Sequence, residues 1–325
     1  MTGRHHVEIK NREASFKFDV NRNITIVCGN SGTGKTTLYD MVSDHTRLKE
    51  KSGVNISCDK DCVALVDLDW KNQLRNTSDS IVFIDEGFAE LKTKEFADAI
   101  KSTDNYYVIF NRESLHELPY SVEEIYEIKT SGKYHTLNRC FRCNEKHIYS
   151  ENKRRKVNFN FDSLLTEDSK SGYQFYSAYF KNKDIECFSS KSNSGIFKWL
   201  MENKDRKVLV VADGAAFGSE IDRVLKLSPL VDFRLCLPES FEWLILKSGI
   251  IKETEIEKIL EDPSEHIESS RFFSWENYFE KLLINKTAGT HFQYAKKEIN
   301  NVYLNDKNSK KIISEIIDDE KNDTT

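Results

Sequence analysis

A glycine-rich loop at residues 29–37 constrains this chain more than any other feature of its sequence. The residues GNSGTGKTT fit the phosphate-binding pattern G-x-x-x-x-G-K-[ST] at every fixed position. Glycines let the backbone turn successive N–H groups toward one anion, and a following helix adds the positive end of its dipole. An apolar run precedes the loop and a helix-like run follows it, so the sequence predicts nucleotide binding.

Two residues of this loop have specific expected roles. The ammonium group of Lys35 is expected to reach the β- and γ-phosphates of ATP, and the hydroxyl of Thr36 is expected to hold Mg²⁺. The residues expected to bind the nucleotide are Gly29, Asn30, Ser31, Gly32, Thr33, Gly34, Lys35, Thr36 and Thr37. The expected cofactors are therefore ATP and Mg²⁺.

An acid pair follows an apolar run further along the chain. The run IVFI at 81–84 predicts a buried strand, and Asp85 and Glu86 come directly after it. Asp85 would hold Mg²⁺ through water, and Glu86 would polarise the water that attacks the γ-phosphate. An acidic strand end can also be no more than a solvated turn. Because a phosphate loop precedes the pair, the sequence favours nucleotide hydrolysis over binding alone.

Strand-like and helix-like segments alternate through most of the chain. A polar, strongly charged stretch near 148–158 separates a first series of alternating segments from a second one. This pattern predicts an α/β fold with largely parallel sheets. We expect one domain over 1–147, a linker over 148–158, and a second α/β domain with C-terminal helices over 159–325.

The first half resembles the ATPase head of ABC-type proteins, as found in recombination and defence ATPases. The resemblance covers residues 5–138 and rests on the strands that lead to GNSGTGKTT, on VFIDE and on a late hairpin. It implies a P-loop NTPase domain, in which a polar residue at the place of Asn111 senses the γ-phosphate. ABC heads also carry an LSGG-like helix, and no such segment occurs between 40 and 80. A nucleotide kinase is the other phosphate-loop class, and the acid pair disfavours it.

The second half resembles a TOPRIM domain, the metal-dependent fold of topoisomerases, primases and OLD-type nucleases. That family places a glutamate after its first strand and a D-x-D-x-x-G pattern after its third. Glu167 stands where the glutamate is expected, and Asp213 and Gly218 match the first aspartate and the glycine. Ala215 stands at the second aspartate. The resemblance implies a TOPRIM-like α/β domain with Glu167 and Asp213 as metal ligands.

This acidic set is incomplete for two-metal chemistry. Mg²⁺ takes hard oxygen ligands, and a second ion would need the carboxylate that Ala215 lacks. Acids that could substitute for it are Asp168, Glu220, Asp222, Glu239 and Glu242. Alternatively, Glu167 and Asp213 could cap the starts of helices and bind no metal.

An ATPase head joined to a TOPRIM-like domain is the arrangement of OLD-family proteins and, over two chains, of the PARIS antiphage system. The resemblance implies an ATPase whose nucleotide state controls the C-terminal domain. In one interpretation that domain is a metal-dependent nuclease in antiphage defence, with nucleic acid as partner. In the other it is a sensor or docking module without nuclease activity. A second copy of the chain or a defence protein is a further expected partner.

Composition and charge exclude several classes of protein. With 38% hydrophobic and 31% charged residues, the chain has the composition of an ordinary folded protein. A net charge of −5 argues against whole-surface binding to nucleic acid, although KRRK at 153–156 is locally basic. No apolar run reaches the ~20 residues that cross a bilayer, and the N-terminus lacks a signal-peptide pattern. We therefore expect a cytoplasmic protein without a membrane partner.

The seven cysteines are expected to be reduced in the cytosol. Cys58 with Cys62, and Cys140 with Cys143 and His147, have spacings that a zinc site could use. Four ligands would have to converge from two distant segments. The sequence therefore favours buried thiols over zinc.

Overall fold

The computed structural model describes residues 1–66, 69–141, 148–149 and 160–317, with only the backbone described at 148–149. The chain divides into two compact units. The first comprises Met1–Phe141 and Asp262–Ser274, and the second comprises Arg142–Glu261 and Trp275–Thr325. Each unit contains a β-sheet and helices, so the predicted mixed α/β fold class is confirmed.

A nine-stranded sheet forms the centre of the first unit. Its strands are β1 (His5–Lys10), β2 (Ser15–Val20), β3 (Ile24–Cys28), β4 (Asn55–Ser57), β5 (Asp61–Ala64), β6 (Ser80–Ile84), β7 (Tyr106–Phe110), β8 (Ile125–Ser131) and β9 (Tyr134–Arg139). Their spatial order is β4-β1-β2-β9-β8-β3-β7-β6-β5. Strands β5, β6, β7, β3 and β8 pair in parallel, whereas β1 is antiparallel to β2 and β4, and β9 to β8.

Burial along these strands explains the two kinds of sequence pattern. All five residues of β6 and all five of β7 are buried, as is typical of parallel strands with both faces covered. In β1 the buried residues alternate with more exposed ones, because successive side chains of a strand point to opposite faces. The apolar runs therefore mark strands with both faces covered, and the alternating run marks a strand with one more exposed face.

The helices of the first unit differ in one place from the expected pattern. Those described are α1 (Lys35–Leu48), α2 (Trp70–Arg75) and α3 (Lys94–Lys101). The run FAELKTKEFADAIKS at 88–102 predicts one helical stretch, but in the structure a 3₁₀ turn at Ala89–Lys92 precedes α3. The backbone of Thr93 is extended, and its Oγ1 accepts a hydrogen bond from the N–H of Phe96 at 3.2 Å. Thr93 thus caps a new helix and does not continue the first.

Two further strand predictions can be compared with the structure. The segment EEIYEIKTSGKYHTLN at 123–138 alternates around Ser131-Gly132 and predicts the late hairpin. This hairpin is confirmed, since β8 and β9 pair antiparallel with Ser131 opposite Tyr134. The run CVALVDL at 62–68 predicts a strand, and the structure has β5 there, which ends at Ala64. Strand β4 has only three residues, and sequence analysis did not predict it.

The segment Asp262–Ser274 returns to the first unit from late in the chain. The N–H of Gly3 donates to the carbonyl of Ser264 at 2.8 Å. The side-chain amide of Asn23 donates to the carbonyl of Ser269 at 3.3 Å. The residues just before β1 and β3 are therefore hydrogen-bonded to a segment that the sequence placed with the second domain.

The second unit contains a five-stranded sheet in which every described pair is parallel. Its strands are β10 (Ile148–Tyr149), β11 (Ser163–Thr166), β12 (Glu186–Ser189), β13 (Lys207–Val211) and β14 (Asp232–Cys236). Their order is β10-β14-β13-β11-β12. The expected linker over 148–158 lies outside the described residues except for the backbone of β10.

Chain order reverses between β11 and β13. From β11 the chain moves outward to β12, then returns to the other side of β11 to form β13 and β14. In open parallel sheets, ligands bind outside the carboxyl ends of the strands at such a reversal.

The helices of the second unit are α4 (Ser171–Phe180), α5 (Asn193–Glu202), α6 (Gly218–Leu225), α7 (Phe241–Lys247), α8 (Thr254–Glu261), α9 (Trp275–Thr287), α10 (Asn301–Leu304) and α11 (Asp306–Ile313). Among the described helices, none reaches the length and apolar character of a membrane-spanning segment.

Candidate functional site

The glycine-rich loop connects β3 to α1 and has the backbone that an anion site needs. Gly29 has φ 118° and Gly34 has φ 99°, a region that side-chain-bearing residues rarely adopt. Gly34 precedes the first residue of α1, so no side chain caps the helix, and its first turn contains no acid. The first N–H groups of the helix therefore lack a side-chain acceptor and favour a bound anion.

Lys35 is the buried cation of this loop. Its ammonium group donates to the carbonyl of Gly29 and, at 3.1 Å, to the carbonyl of Asn30. Burial lowers the pKa of Lys35, and the nearby carboxylate of Glu86 opposes this shift. Thr36 and Thr37 follow on the exposed face of the first helical turn. The loop therefore presents one ammonium group and two hydroxyl groups beside uncapped N–H groups.

Arg112 connects this loop to the acid pair. It follows β7, which lies between the loop strand β3 and the acid strand β6. Its guanidinium group donates to both carboxylate oxygens of Glu86, at 3.0 and 2.7 Å, and to the hydroxyl of Ser31 at 3.3 Å. Residues from three neighbouring strand ends thus converge at one edge of the sheet.

The other two residues predicted at this edge have local partners. Asp85 accepts a hydrogen bond from the N–H of Gly87 at 3.1 Å. Asn111 is buried, and its side-chain amide donates to the carbonyl of Glu113 within its own turn. Arg112 is therefore the polar side chain after β7 that contacts the loop and Glu86. Sequence analysis assigned the sensing role to Asn111 and gave Arg112 none.

In the second unit, Glu167 and Asp213 meet at the reversal of the sheet. Glu167 follows β11 and Asp213 follows β13 by two residues, and Thr166 lies opposite Val211 in the strand register. The N–H of Asp213 donates to Oε2 of Glu167 at 3.2 Å. The adjacency expected of these two acids is therefore present in the fold.

The capping alternative fails for Asp213. Its side chain makes no capping hydrogen bond to the short 3₁₀ turn Gly214–Ala216 that follows it. Asp168 instead accepts a hydrogen bond from the N–H of Tyr173 at 3.0 Å, in the first turn of α4. Asp168 therefore caps the first turn of α4, whereas the Glu167 carboxylate accepts a hydrogen bond from the N–H of Asp213 after β13.

A small cavity of about 20 Å³ lies between these groups, and the acidic and basic residues of its lining are Glu167, Asp168, Asp213 and Lys296. A cavity of this volume has room for about one water-sized particle. Burial and the charge of Glu276 raise the pKa of Glu167 to about 8. Burial and the adjacent Glu167 also raise the pKa of Asp213. A divalent ion would therefore compete with protons for these carboxyl groups.

Lys296 is the main functional residue of this pocket that sequence analysis missed. Its ammonium group lies 2.8 Å from Oε1 of Glu242, whose side chain is fully buried. Tyr294 donates its hydroxyl to the same oxygen at 2.6 Å. Burial alone would lower the pKa of Lys296, but Asp213 and Glu242 outweigh this effect and raise it. A charged lysine therefore neutralises part of the acidic pocket.

The remaining candidate acids contribute less to the pocket. Glu220 pairs with Arg223 at 3.6 Å, and Asp222 is exposed on α6. Within the described residues, no group of three or more histidine, cysteine or acidic side chains is arranged to hold a metal ion. Glu167 and Asp213 are two adjacent carboxylates, the number that a protein usually contributes to one Mg²⁺.

Comparison with protein-family models, curated proteins and solved structures finds no match to this chain. The function therefore has to be argued from the geometry of the two sites.

Proposed function

We propose that this chain binds ATP with Mg²⁺ and hydrolyses it at the loop of the first unit. The observation that carries this proposal is the bridge that Arg112 makes between Ser31 of the loop and Glu86 after β6. A glycine loop alone is compatible with any phosphate ligand. A carboxylate tied to the same loop adds a group that can orient and polarise water.

Each residue has a role that follows from its chemistry. The loop N–H groups and Lys35 bind the phosphates and offset their negative charge. Thr36 and Asp85 would hold Mg²⁺, which neutralises charge on the β- and γ-phosphate oxygens when bound. Glu86 accepts a hydrogen bond from the attacking water, while Arg112 fixes the orientation of this carboxylate.

Phosphate release by the purified chain tests this proposal. We expect ATP turnover that requires a divalent ion and needs no added phosphoryl acceptor. Transfer only when a nucleotide acceptor is supplied would favour the kinase alternative. Failure of the chain to bind a fluorescent ATP analogue in the presence of Mg²⁺ would contradict the proposal altogether.

Replacing Arg112 with alanine is expected to lower the turnover number by about tenfold or more, since a freed Glu86 no longer orients water. The affinity for ATP should change less. Arg112→Lys should restore only part of the activity, because lysine cannot donate to both carboxylate oxygens in a planar fork.

Arg47→Ala is the matched control for this prediction. Arg47 is exposed on α1 and pairs with Asp44 at 2.7 Å. Its loss should leave turnover unchanged. If Arg112→Ala hydrolysed ATP as fast as the Arg47→Ala control, Arg112 would have no positioning role.

The pocket of the second unit supports a second candidate function, a single-ion metal site in a TOPRIM-like domain. Glu167 and Asp213 are adjacent there, as a metal site requires. Ala215 adds no carboxylate, and Lys296 already supplies one positive charge. These features favour single-metal nuclease chemistry or a metal-dependent sensor over two-metal cleavage.

Incubation of the full chain with plasmid, single-stranded DNA and tRNA separates the nuclease from the sensor. The reactions would contain Mg²⁺ or Mn²⁺, with and without ATP. Cleavage that is lost in Asp213→Asn would support the nuclease. Intact nucleic acid in every reaction would leave the sensor interpretation.

Metal affinity at this pocket is expected to rise with pH. Glu167 has a pKa of about 8 because of burial and the charge of Glu276, so protons occupy it at lower pH. Calorimetric titration of Mn²⁺ into the full chain should show weakening affinity from about pH 8 to about pH 6. The titratable groups that face Glu167 and also shift are Asp168, Asp213, Glu276 and Lys296.

Two variants test whether the Mn²⁺ measured in this titration binds at the pocket of Glu167 and Asp213. Asp213→Asn should remove the pH-dependent binding event, whereas Asp222→Asn changes an exposed acid on the nearby helix and should leave it intact. An Mn²⁺ affinity that stays constant from about pH 6 to about pH 8 would mean that Glu167 is not a ligand.

A further inference from the structure

Two cysteine thiols contact each other directly before the phosphate loop. Cys28 is the last residue of β3 and immediately precedes Gly29. Cys140 follows the last residue of β9. Their sulfur atoms lie 3.0 Å apart, and both residues are half-buried. Neither the nucleotide site nor the acidic pocket uses these thiols.

The sheet fixes both cysteines in place. Cys28 lies opposite Glu127 in the pairing of β3 with β8. The N–H of Cys140 donates to the carbonyl of Ile125, at the start of β8, at 2.8 Å. Strand β8 therefore anchors both residues from its two sides. A disulfide has an S–S distance of about 2.05 Å, so formation of the bond draws the two sulfur atoms about 1 Å closer together.

We propose that Cys28 and Cys140 form a reversible disulfide that switches off nucleotide binding at the loop. This inference rests on the proposed ATP site. Intracellular disulfides of this kind are typically transient and redox-sensing. The half-buried position of the pair lets a small oxidant such as hydrogen peroxide reach it.

The chemistry balances with a peroxide as oxidant. One thiolate attacks a peroxide oxygen and breaks the O–O bond, which gives a sulfenic acid and, after protonation, one water. The second thiol then attacks the sulfenic sulfur and expels a second water as the disulfide forms. Two electrons pass from the two sulfur atoms to the peroxide. A dithiol reductant returns two electrons and two protons and restores both thiols.

The position of Cys28 explains why the bond would affect nucleotide binding. Gly29 contributes the first turn of the loop, and its carbonyl accepts a hydrogen bond from Lys35. Formation of the disulfide would displace Cys28 and with it Gly29. Gly29 would then shift relative to α1, which carries the other phosphate-binding N–H groups. Binding sites that depend on converging N–H groups are sensitive to displacements of about 1 Å.

Peptide mapping of the oxidised full chain tests the linkage itself. Trypsin places Cys28 in residues 23–35 and Cys140 in residues 140–142, whereas Cys143 falls in residues 143–146. Mass spectrometry without reductant should therefore detect a peptide pair that joins 23–35 to 140–142. A pair that joins 23–35 to 143–146, or no linked pair, would overturn the proposal.

Nucleotide binding is measured on the same samples with a fluorescent ATP analogue. We expect peroxide to reduce affinity ~10-fold or more, and dithiothreitol to restore it. Cys140→Ser should bind the analogue normally and resist peroxide. Cys187→Ser is the matched control and should remain as sensitive as the unaltered chain, because burial raises the pKa of Cys187 to about 11.

These measurements distinguish failure of the proposed ATP site from failure of the disulfide switch. If the reduced chain binds no nucleotide, the proposed ATPase is wrong and the switch falls with it. If the reduced chain binds nucleotide but Cys140→Ser loses binding in peroxide as fully as the unaltered chain, only the switch is wrong.

Discussion

Lys35→Ala is expected to abolish measurable ATP hydrolysis by the full chain. Lys35 is the buried cation of the loop, and its ammonium group already lies against the carbonyls of Gly29 and Asn30. Without Lys35, the loop keeps only N–H dipoles beside the Mg²⁺ ion to offset charge on the β- and γ-phosphates. Loss of one such preorganised group costs roughly 100- to 1,000-fold in turnover. A steady-state phosphate-release assay measures this change.

A control variant and a variant of Glu86 show whether a loss of ATP turnover comes from nucleotide binding or from the hydrolysis step. Lys51→Ala removes an exposed lysine after α1 and should hydrolyse ATP normally. Glu86→Gln should bind ATP but stall hydrolysis, because an amide polarises water far less than a carboxylate does. Its amide oxygen can still accept a hydrogen bond from Arg112, so the loop contact survives. Hydrolysis by Glu86→Gln at the unaltered rate would remove Glu86 from the mechanism.

Lys296→Met is expected to lower the free energy of unfolding of the second unit by about 3–5 kcal/mol, the usual cost of leaving a buried charge without its partner. Glu242 is fully buried, and Lys296 supplies its cation. The second carboxylate oxygen of Glu242, Oε2, has no hydrogen-bond partner within the described residues. Urea unfolding followed by circular dichroism should therefore show an earlier transition in the variant.

A double variant without either charge distinguishes the effect of an unpaired buried carboxylate from simple loss of packing. The double variant Lys296→Met with Glu242→Gln removes both charges and keeps an acceptor for the hydroxyl of Tyr294. We expect it to recover much of the lost stability, because no buried charge remains. Lys297→Met, at the exposed neighbouring position, should unfold as the unaltered chain does. A double variant as unstable as Lys296→Met alone would show that the charge pair is not the cause.

Sequence reasoning worked where one short segment contains all the information. The glycine loop, the apolar run before Asp85 and the strand ends at Glu167 and Asp213 are each local patterns, and their strands are where they were predicted. Parallel strands bring their carboxyl ends to one edge, so the adjacency of Glu167 and Asp213 also followed. Their chemical roles remain predictions.

What sequence reasoning missed depends on contacts between distant segments. Nothing in the run AKKEIN distinguishes Lys296 from its neighbour Lys297, yet only Lys296 reaches Glu242. Arg112 stands beside Asn111, but Asn111 is buried in its own turn and only Arg112 extends to Glu86 at the end of β6. Cys28 and Cys140 are 112 residues apart in the sequence, and they come together because β3 and β9 both pair with β8. Side-chain direction and strand order are set by the whole sheet.

The return of Asp262–Ser274 to the first unit has a consequence for how this chain can be divided or recombined. The polypeptide crosses between units three times, so no single cut yields two intact halves. A fragment that stops after the first sheet would lose the hydrogen-bond acceptors for Gly3 and Asn23. Exchange of the second unit for that of another protein would therefore need three junctions, one after the first sheet and one on each side of the returning segment.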